Sequence, residues 1–267
     1  MHTKPILTAL LAATTTTALA DNVIFDGFSD TTGLTINGAA SVTNTSDGDV
    51  MRLTPASGNQ AGSIFSNTLV DATNFSTKFS FRITEPGGSV FDQNDEPGAD
   101  GFVFVVQPIS NSLGGLGQGI GYEGIGTSLG IEYDTWGNAG NNDPSQSHVG
   151  LNLNGSVDHN GLPTHDVTGP ELDDGDRWYS WIDYDGTTLE VRLSLVDSRP
   201  ADAIISYELD LPVIMGQDTA YVGFTSATGA AWANHDIIDW SYTPFVPTPA
   251  TTALLTLAAL TTTRRCR

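Results

Sequence analysis

The stretch RWYSWIDYDGTTLEVRLSLV, residues 177–196, decides the fold class. Two β-rich runs, WYSWIDY and TTLEVRL, flank Asp185-Gly186. Glycine accepts the positive φ that a tight hairpin turn requires, so Asp-Gly between two such runs predicts an antiparallel hairpin. Side chains two apart on a strand share a face, which groups Leu189, Val191, Leu193 and Leu195. Outward from this hairpin the same texture recurs in STKFSFRI (76–83), DGFVFVVQ (100–107), TSLGIEYD (127–134), HVGLNLN (148–154), AIISYELDL (203–211), TAYVGFTS (219–226) and HDIIDWSYT (235–243). Glycine, asparagine and aspartate fill the gaps, and the sequence has no heptads, internal repeat or interdomain linker. Many short strands at steady spacing bury their apolar faces against one another. They predict an all-β domain, an antiparallel β-sandwich.

The two ends read differently. Residues 1–20, MHTKPILTALLAATTTTALA, pair a weakly basic start with an apolar stretch and a small-residue Ala18-Leu19-Ala20 cleavage pattern, and so predict a secretory signal peptide. The sandwich domain is then expected over residues 21–245. Residues 246–267 combine a proline-x-proline pair, a short apolar run and a basic cluster at Arg264, Arg265 and Arg267. This tail resembles the bacterial PEP-CTERM sorting signal, although Thr248 stands where that signal has glutamate. The resemblance implies envelope sorting machinery as a partner and a secreted, cell-surface or envelope location. All 31 acidic residues but only six basic ones lie between the two ends, a net charge of −25. Such a surface repels nucleic acid and anionic lipid. The single cysteine, Cys266, allows no intrachain disulfide, so stability must come from the core and from any bound metal.

The chemistry concentrates in IEYDTWGNAGNNDPSQSHVGL, residues 131–151. Glu132, Asp134 and Trp136 alternate onto one face of a strand. The irregular GNAGNNDPS lets Asn138 and Asp143 fold back, and His148 opens the next strand. Three carboxylates this close repel one another unless a positive charge lies between them. Aspartate, asparagine and carbonyl oxygens suit Ca²⁺. A histidine nitrogen among carboxylates suits Mn²⁺ or another transition-metal ion. Singly, each residue has a plainer reading: a hydrogen-bonded histidine, an Asp143-Pro144 turn starter, a solvated strand face. Together they predict two ions sharing Asp134 and Asp143.

This stretch resembles the metal-binding segment of the legume-type (L-type) lectins in its Glu-x-Asp-x-aromatic-x-Asn pattern, its Asp-Pro-Ser and its His-x-Gly. FSTKFSFRI, ADGFVFVVQ, GIGYEGI and VGFTSATGAAWANHDIIDWSYT extend the resemblance over residues 23–243. It implies the jelly-roll, concanavalin A-like sandwich of a bacterial L-type lectin that binds glycans without cutting them. It also implies roles. Glu132, Asp134, Asp143 and His148 would hold the transition ion. Asp134, Asn138, Asp143 and the Trp136 carbonyl would hold Ca²⁺. Asp100, Asn138 and a backbone N–H of Gly121 would hydrogen-bond sugar hydroxyls, with Gly119 as the alternative in the same glycine-rich run. Trp136 would stack on the sugar ring, and Ala230 and Ala231 would lie in the loop that selects among sugars. The Ala99–Asp100 peptide is cis in this family. A shallow site of this kind is weak, about 4 kcal/mol at millimolar affinity, so useful binding calls for several copies on a surface or in a homo-oligomer.

Other motifs compete. GTSLG, residues 126–130, matches Gly-x-Ser-x-Gly around Ser128, but a strand follows where that nucleophile elbow needs a helix. GIGYEG, residues 119–124, matches Gly-x-Gly-x-x-Gly without a βαβ unit. A jelly-roll glycoside hydrolase resembling the laminarinases would need a second carboxyl about 5–5.5 Å from the first. Their Glu-x-Asp-x-Glu has Trp136 in its last place here. A structural or adhesive envelope protein with a vestigial sugar site is the third reading. The acidic run FDQNDEPGAD (91–100) lacks EF-hand spacing and reads as a solvated loop.

Overall fold

The computed structural model describes residues 22–91, 97–112 and 117–244. The predicted signal peptide, the tail, half of the acidic run and part of the glycine-rich run lie outside the described residues.

Two antiparallel sheets of eight strands pack face to face, the sandwich that the hairpin texture predicts. The back sheet runs β14 (Ile205–Glu208), β13 (Thr188–Ser194), β12 (Trp178–Tyr184), β7 (Phe75–Gly88), β16 (Ala231–Pro244), β4 (Gly48–Thr54) and β3 (Ser41–Thr45), with β1 (Val23–Phe25) paired to β16. The front sheet runs β11 (Thr164–Asp166), β10 (His148–Leu153), β9 (Leu129–Asp134), β8 (Gly101–Gln107), β15 (Thr219–Ala227), β5 (Ala61–Ser66) and β2 (Leu34–Gly38), with β6 (Val70–Asp71) on β15. Each of the nine predicted runs contains a strand. In the hairpin, Tyr184 pairs with Leu189. Gly186 takes φ +99°, and Asp185 Oδ1 accepts the N–H groups of Thr187 and Thr188 at 2.8 Å. Leu189 and Val191 are buried and Leu193 packs at the core edge, whereas Leu195 lies past the end of β13, 41% exposed. The predicted apolar face therefore ends one residue pair early. The one α-helix among the described residues, α1 (Leu211–Met215), is a single turn, with Asp210 Oδ1 capping the Val213 N–H at 3.0 Å.

The core between the sheets is aromatic. Phe102 and Tyr133 stack at 4.8 Å, and Phe79 meets Phe224 edge-on at 4.9 Å. Every residue of β8 is buried, because both faces are covered. Phe102, Phe104 and Val106 enter the main core. Val103 and Val105 face the other way, under Ile120, Tyr122 and Ile125 of the β8–β9 connection. That connection is thereby packed onto the front sheet and carries Gly117 and Gln118 to the end of β8, beside Asp100.

Candidate functional site

Three adjacent strands build the site from their ends. β8 begins just after Asp100, β9 ends at Asp134, and β10 begins at His148. The register pairs Asp134 with both Gly101 and His148, and Glu132 with both Val103 and Gly150. Gly101 has φ +110°, and a side chain there would strike the Tyr133 carbonyl at 2.2 Å. Only glycine therefore lets the chain pass from Asp100 into the sheet this close to β9. The Ala99–Asp100 peptide is cis.

Glu132, Asp143 and His148, all expected as metal ligands, come together with a fourth side chain, His159, which the sequence reading missed. One ligand atom from each lies within 4.8 Å of the others. His148 Nε2 is 3.0 Å from Glu132 Oε1 and 3.9 Å from Asp143 Oδ1. His159 Nε2 is bonded to Glu132 Oε1 and lies 3.8 Å from Asp143 Oδ1. None of these side chains is more than 2% exposed. Burial pushes Glu132 up, but its hydrogen bonds with His148 and His159 outweigh that and hold it below the usual carboxylate range. Asp134 is outside this group of four. Burial, then the charges of Glu132 and Asp143, push it well above its ordinary value, although its Oδ1 accepts the Trp136 N–H at 2.5 Å. Asp143 is pushed up chiefly by burial, while its Oδ2 accepts the Asn138 N–H at 2.6 Å. The protein thus spends both imidazoles on Glu132 and leaves Asp134 without a cationic partner among the described residues.

Next to these carboxylates lies a cleft of about 220 Å³. Its lining includes Asp100, Trp136, Asn138, Ala230 and Ala231, five residues expected around one ligand, together with Gly117, Gln118 and Gly229. Gly121 is not in that lining. It is buried at φ +71°, where a side chain would meet Thr225 Cβ at 2.8 Å. Gly117 and Gln118 of the same run form that wall instead, because Ile120 and Tyr122 anchor the following residues into the sheet. Two buried oxygens at the cleft, Asp100 Oδ2 and Asn138 Oδ1, have no hydrogen-bond partner among the described residues. Burial, opposed by the Gly229 N–H, pushes Asp100 up to about 7. Buried acceptors left unpaired are costly, and Asn138 Oδ1 beside Asp134 and Asp143 fits the donor set of a hard cation. The residues present therefore fit Ca²⁺ beside a transition-metal ion.

Behind the cleft, a buried circuit clamps the peptide that follows Asp100. The Gly101 N–H donates to His235 Nε2 at 3.1 Å, which leaves the ring proton on Nδ1. Nδ1–H donates to Thr54 Oγ1 at 2.7 Å, the Thr54 hydroxyl to Ser226 Oγ at 2.9 Å, and the Ser226 hydroxyl back to the Gly101 carbonyl at 2.7 Å. Burial, aided by Arg52, holds His235 down to about 3, so the ring stays neutral. Ser128 of the Gly-x-Ser-x-Gly match is also buried, donating to Tyr122 Oη at 2.9 Å. It has no access to a substrate as a nucleophile.

A two-sheet sandwich with paired carboxylate and histidine ends over a small cleft defines the class. The chain belongs to the legume lectin domain family, whose family model matches residues 20–254. The domain of this family binds carbohydrate and is non-catalytic. Among similar curated proteins, the L-type lectin-domain containing receptor kinase VIII.1 of Arabidopsis thaliana is 32% identical over 210 residues, 76% of this chain and 27% of that protein. Receptor kinase IV.2 of the same plant is 28% identical over 252 residues, 83% of this chain and 35% of that protein. The chain thus spans about a quarter to a third of these relatives, and their kinase domain lies outside the match. Among solved structures, the winged bean acidic lectin complexed with methyl-α-D-galactose is 26% identical, with TM-score 0.67 over 84% of this chain and 98% of that one. The lectin of Bauhinia forficata in complex with GalNAc shares the fold, with TM-score 0.70 at 20% identity over 85% of this chain and 99% of that one.

Proposed function

We propose that this domain is a metal-dependent glycan-binding module of a secreted or cell-surface protein, with residues 1–20 as its signal peptide, 21–245 as the lectin domain and 246–267 as a sorting or anchor-like tail. The observation that carries the reading is the meeting of Asp100, Asn138 and Trp136 on one cleft, with Asp100 Oδ2 and Asn138 Oδ1 buried and unpaired there. Asp100 accepts from sugar hydroxyls, Asn138 donates through Nδ2, and the Trp136 ring covers the apolar face of a pyranose. Ala230, exposed at the rim, and Ala231 beneath it leave room for sugar substituents. Asp134, Asn138, Asp143 and the Trp136 carbonyl would hold Ca²⁺. Glu132, Asp143 and His148, with Asp134 at their side, would hold the transition ion. Bound, the two cations supply the positive charge that these carboxylates lack and fix the loop carrying Asn138. A sugar then meets groups already oriented, and its ordering cost is small.

A glycan array on the chain, with and without chelator, tests this reading. Galactosides are the first probes, because similar lectins have been solved with methyl-α-D-galactose and GalNAc. Retention that vanishes with chelator and in Asp100→Ala is the expected result. Retention untouched by complete metal removal would overturn the metal-dependent mechanism.

A further inference from the structure

The transition ion expected from the resemblance has one histidine, His148. The structure brings a second, and its surroundings are built for it. His159 sits on the connection after β10, and its backbone N–H donates to the Asn141 carbonyl at 2.8 Å, tying that connection to the loop that carries Asp143. Room for the imidazole comes from Gly150. A Cβ there would stand 2.3 Å from His159 Cε1 and 3.0 Å from Glu132 Oε1. The other ligands are already aimed. His148 Nδ1–H donates to the Ser145 carbonyl at 3.0 Å, so a cation that displaces the Nε2 proton now bonded to Glu132 would meet the Nε2 lone pair. Asn152 Nδ2 holds Glu132 Oε2, which turns Oε1 to the two imidazoles.

We propose that Glu132, Asp143, His148 and His159 form a complete four-ligand site for a tetrahedral, late first-row divalent cation, zinc before manganese, with His159 as its fourth protein ligand. Two nitrogens and two oxygens match the tetrahedral ligand sets of Zn²⁺. Both imidazoles reach Glu132 Oε1 and lie 3.8 and 3.9 Å from Asp143 Oδ1, so all four side chains turn a ligand atom to one point. Manganese favours oxygen-rich octahedral shells, and a second imidazole shifts preference toward the later metals. The inference rests on the metal-dependent part of the proposed function and departs from it in the identity of the ion.

The test uses the full chain, stripped of metal and offered equimolar Zn²⁺ and Mn²⁺ in excess Ca²⁺, with bound metals counted by mass spectrometry. Wild type should take one zinc per chain. His159→Ser should lower the zinc-over-manganese preference at least about tenfold while calcium uptake persists. Gly150→Ala keeps all four ligands but crowds the His159 ring, and should lower zinc affinity in the same direction. Cobalt-loaded wild type should give the intense visible absorption of tetrahedral Co²⁺. That spectrum decides the question on its own if either variant fails to fold by circular dichroism. A six-coordinate cobalt spectrum in wild type, or an unchanged zinc-to-manganese ratio in both folded variants, overturns the proposal. Glycan retention of the same samples separates the two ideas. Metal-dependent glycan retention with a six-coordinate cobalt spectrum, or with a zinc-to-manganese ratio that neither folded variant changes, sinks this inference alone. Tetrahedral zinc without glycan retention sinks the lectin reading alone.

Discussion

Asp100 and His235 show how one residue's surroundings set its use. Asp100 lines the cleft, and its buried Oδ2 has no hydrogen-bond partner among the described residues, which leaves it open to the proposed sugar hydroxyl. Asp100→Asn keeps the shape and removes the charge. Retention on immobilised glycan should fall at least about tenfold, the loss expected when a charge-assisted hydrogen bond of roughly 1.5–3 kcal/mol goes, while near-ultraviolet circular dichroism stays unchanged. His235 works from behind. It bonds the Gly101 N–H and the Thr54 hydroxyl, which is bonded in turn to Ser226, and the Arg52 charge also acts on it. The folded ring titrates near 3 and an unfolded one at 6.5. The unfolded chain therefore binds the proton first. The contribution is fully present above pH 6.5 and is lost as pH falls toward 3, a difference on the order of 5 kcal/mol. His235→Gln, which cannot take up a proton, should flatten the denaturant midpoint against pH between 6.5 and 5. A variant that follows the wild-type slope there would remove His235 as the cause.

At the scale of elements, β8 and the connection after it link fold to site. Phe104 is fully buried and touches Phe79 and Phe224 rings. Phe104→Ala should cost about 3–5 kcal/mol in urea unfolding. Tyr122 lies on the other face of the front sheet, bonded to Ser128 and to the Gly155 N–H. Tyr122→Ala should loosen the wall at Gly117 and Gln118, so glycan affinity should drop in titration calorimetry while the main core keeps its packing. These elements also mark what the sequence could tell. From residue 76 onward, apolar runs bounded by Gly, Asn and Asp stand out as strands. β2 (LTING) and β3 (SVTNT) are short strands with only two and one apolar residues, and β11 has three residues. Their pairing is imposed by β5, β4 and β10, not by their own composition. The site followed the same rule. Glu132, Asp143 and His148 share one stretch and were readable. His159 stands in the polar run GSVDHNG, and only the fold of that connection back toward Asn141 brings it to the cluster. Gly121 lies outside the cleft lining, and a run of glycines offers no side-chain pattern to say which one reaches the surface.

Across the whole molecule, charge is divided between the sheets. All six basic residues of the body lie on back-sheet strands or their flanking loops, and each pairs with an acid. Arg52 meets Asp236 and Lys78 meets Asp197. Arg82 meets Asp47, Arg177 meets Asp239, and Arg192 and Arg199 share Asp183. The front-sheet strands carry no lysine or arginine at all. Glu132, Asp134 and Asp143 therefore face one another with two histidines and no permanent positive side chain, in a protein that is already strongly acidic. Partly exposed pairs on the back sheet contribute about 0–1 kcal/mol each and are screened by salt. Buried carboxylates are screened far less, so metal removal and salt should act separately. Chelator should lower the thermal midpoint, because a cation at a hundred times its Kd stabilises the folded chain by about 2.7 kcal/mol per site. Adding 1 M sodium chloride to the chelated protein should restore little of that loss, since Asp134 is only 3% exposed and Glu132 1%. Differential scanning calorimetry across chelator, calcium and salt checks this. Full recovery in salt alone would mean that the destabilising charge is spread over the acidic surface and not concentrated at the ends of β9 and β10.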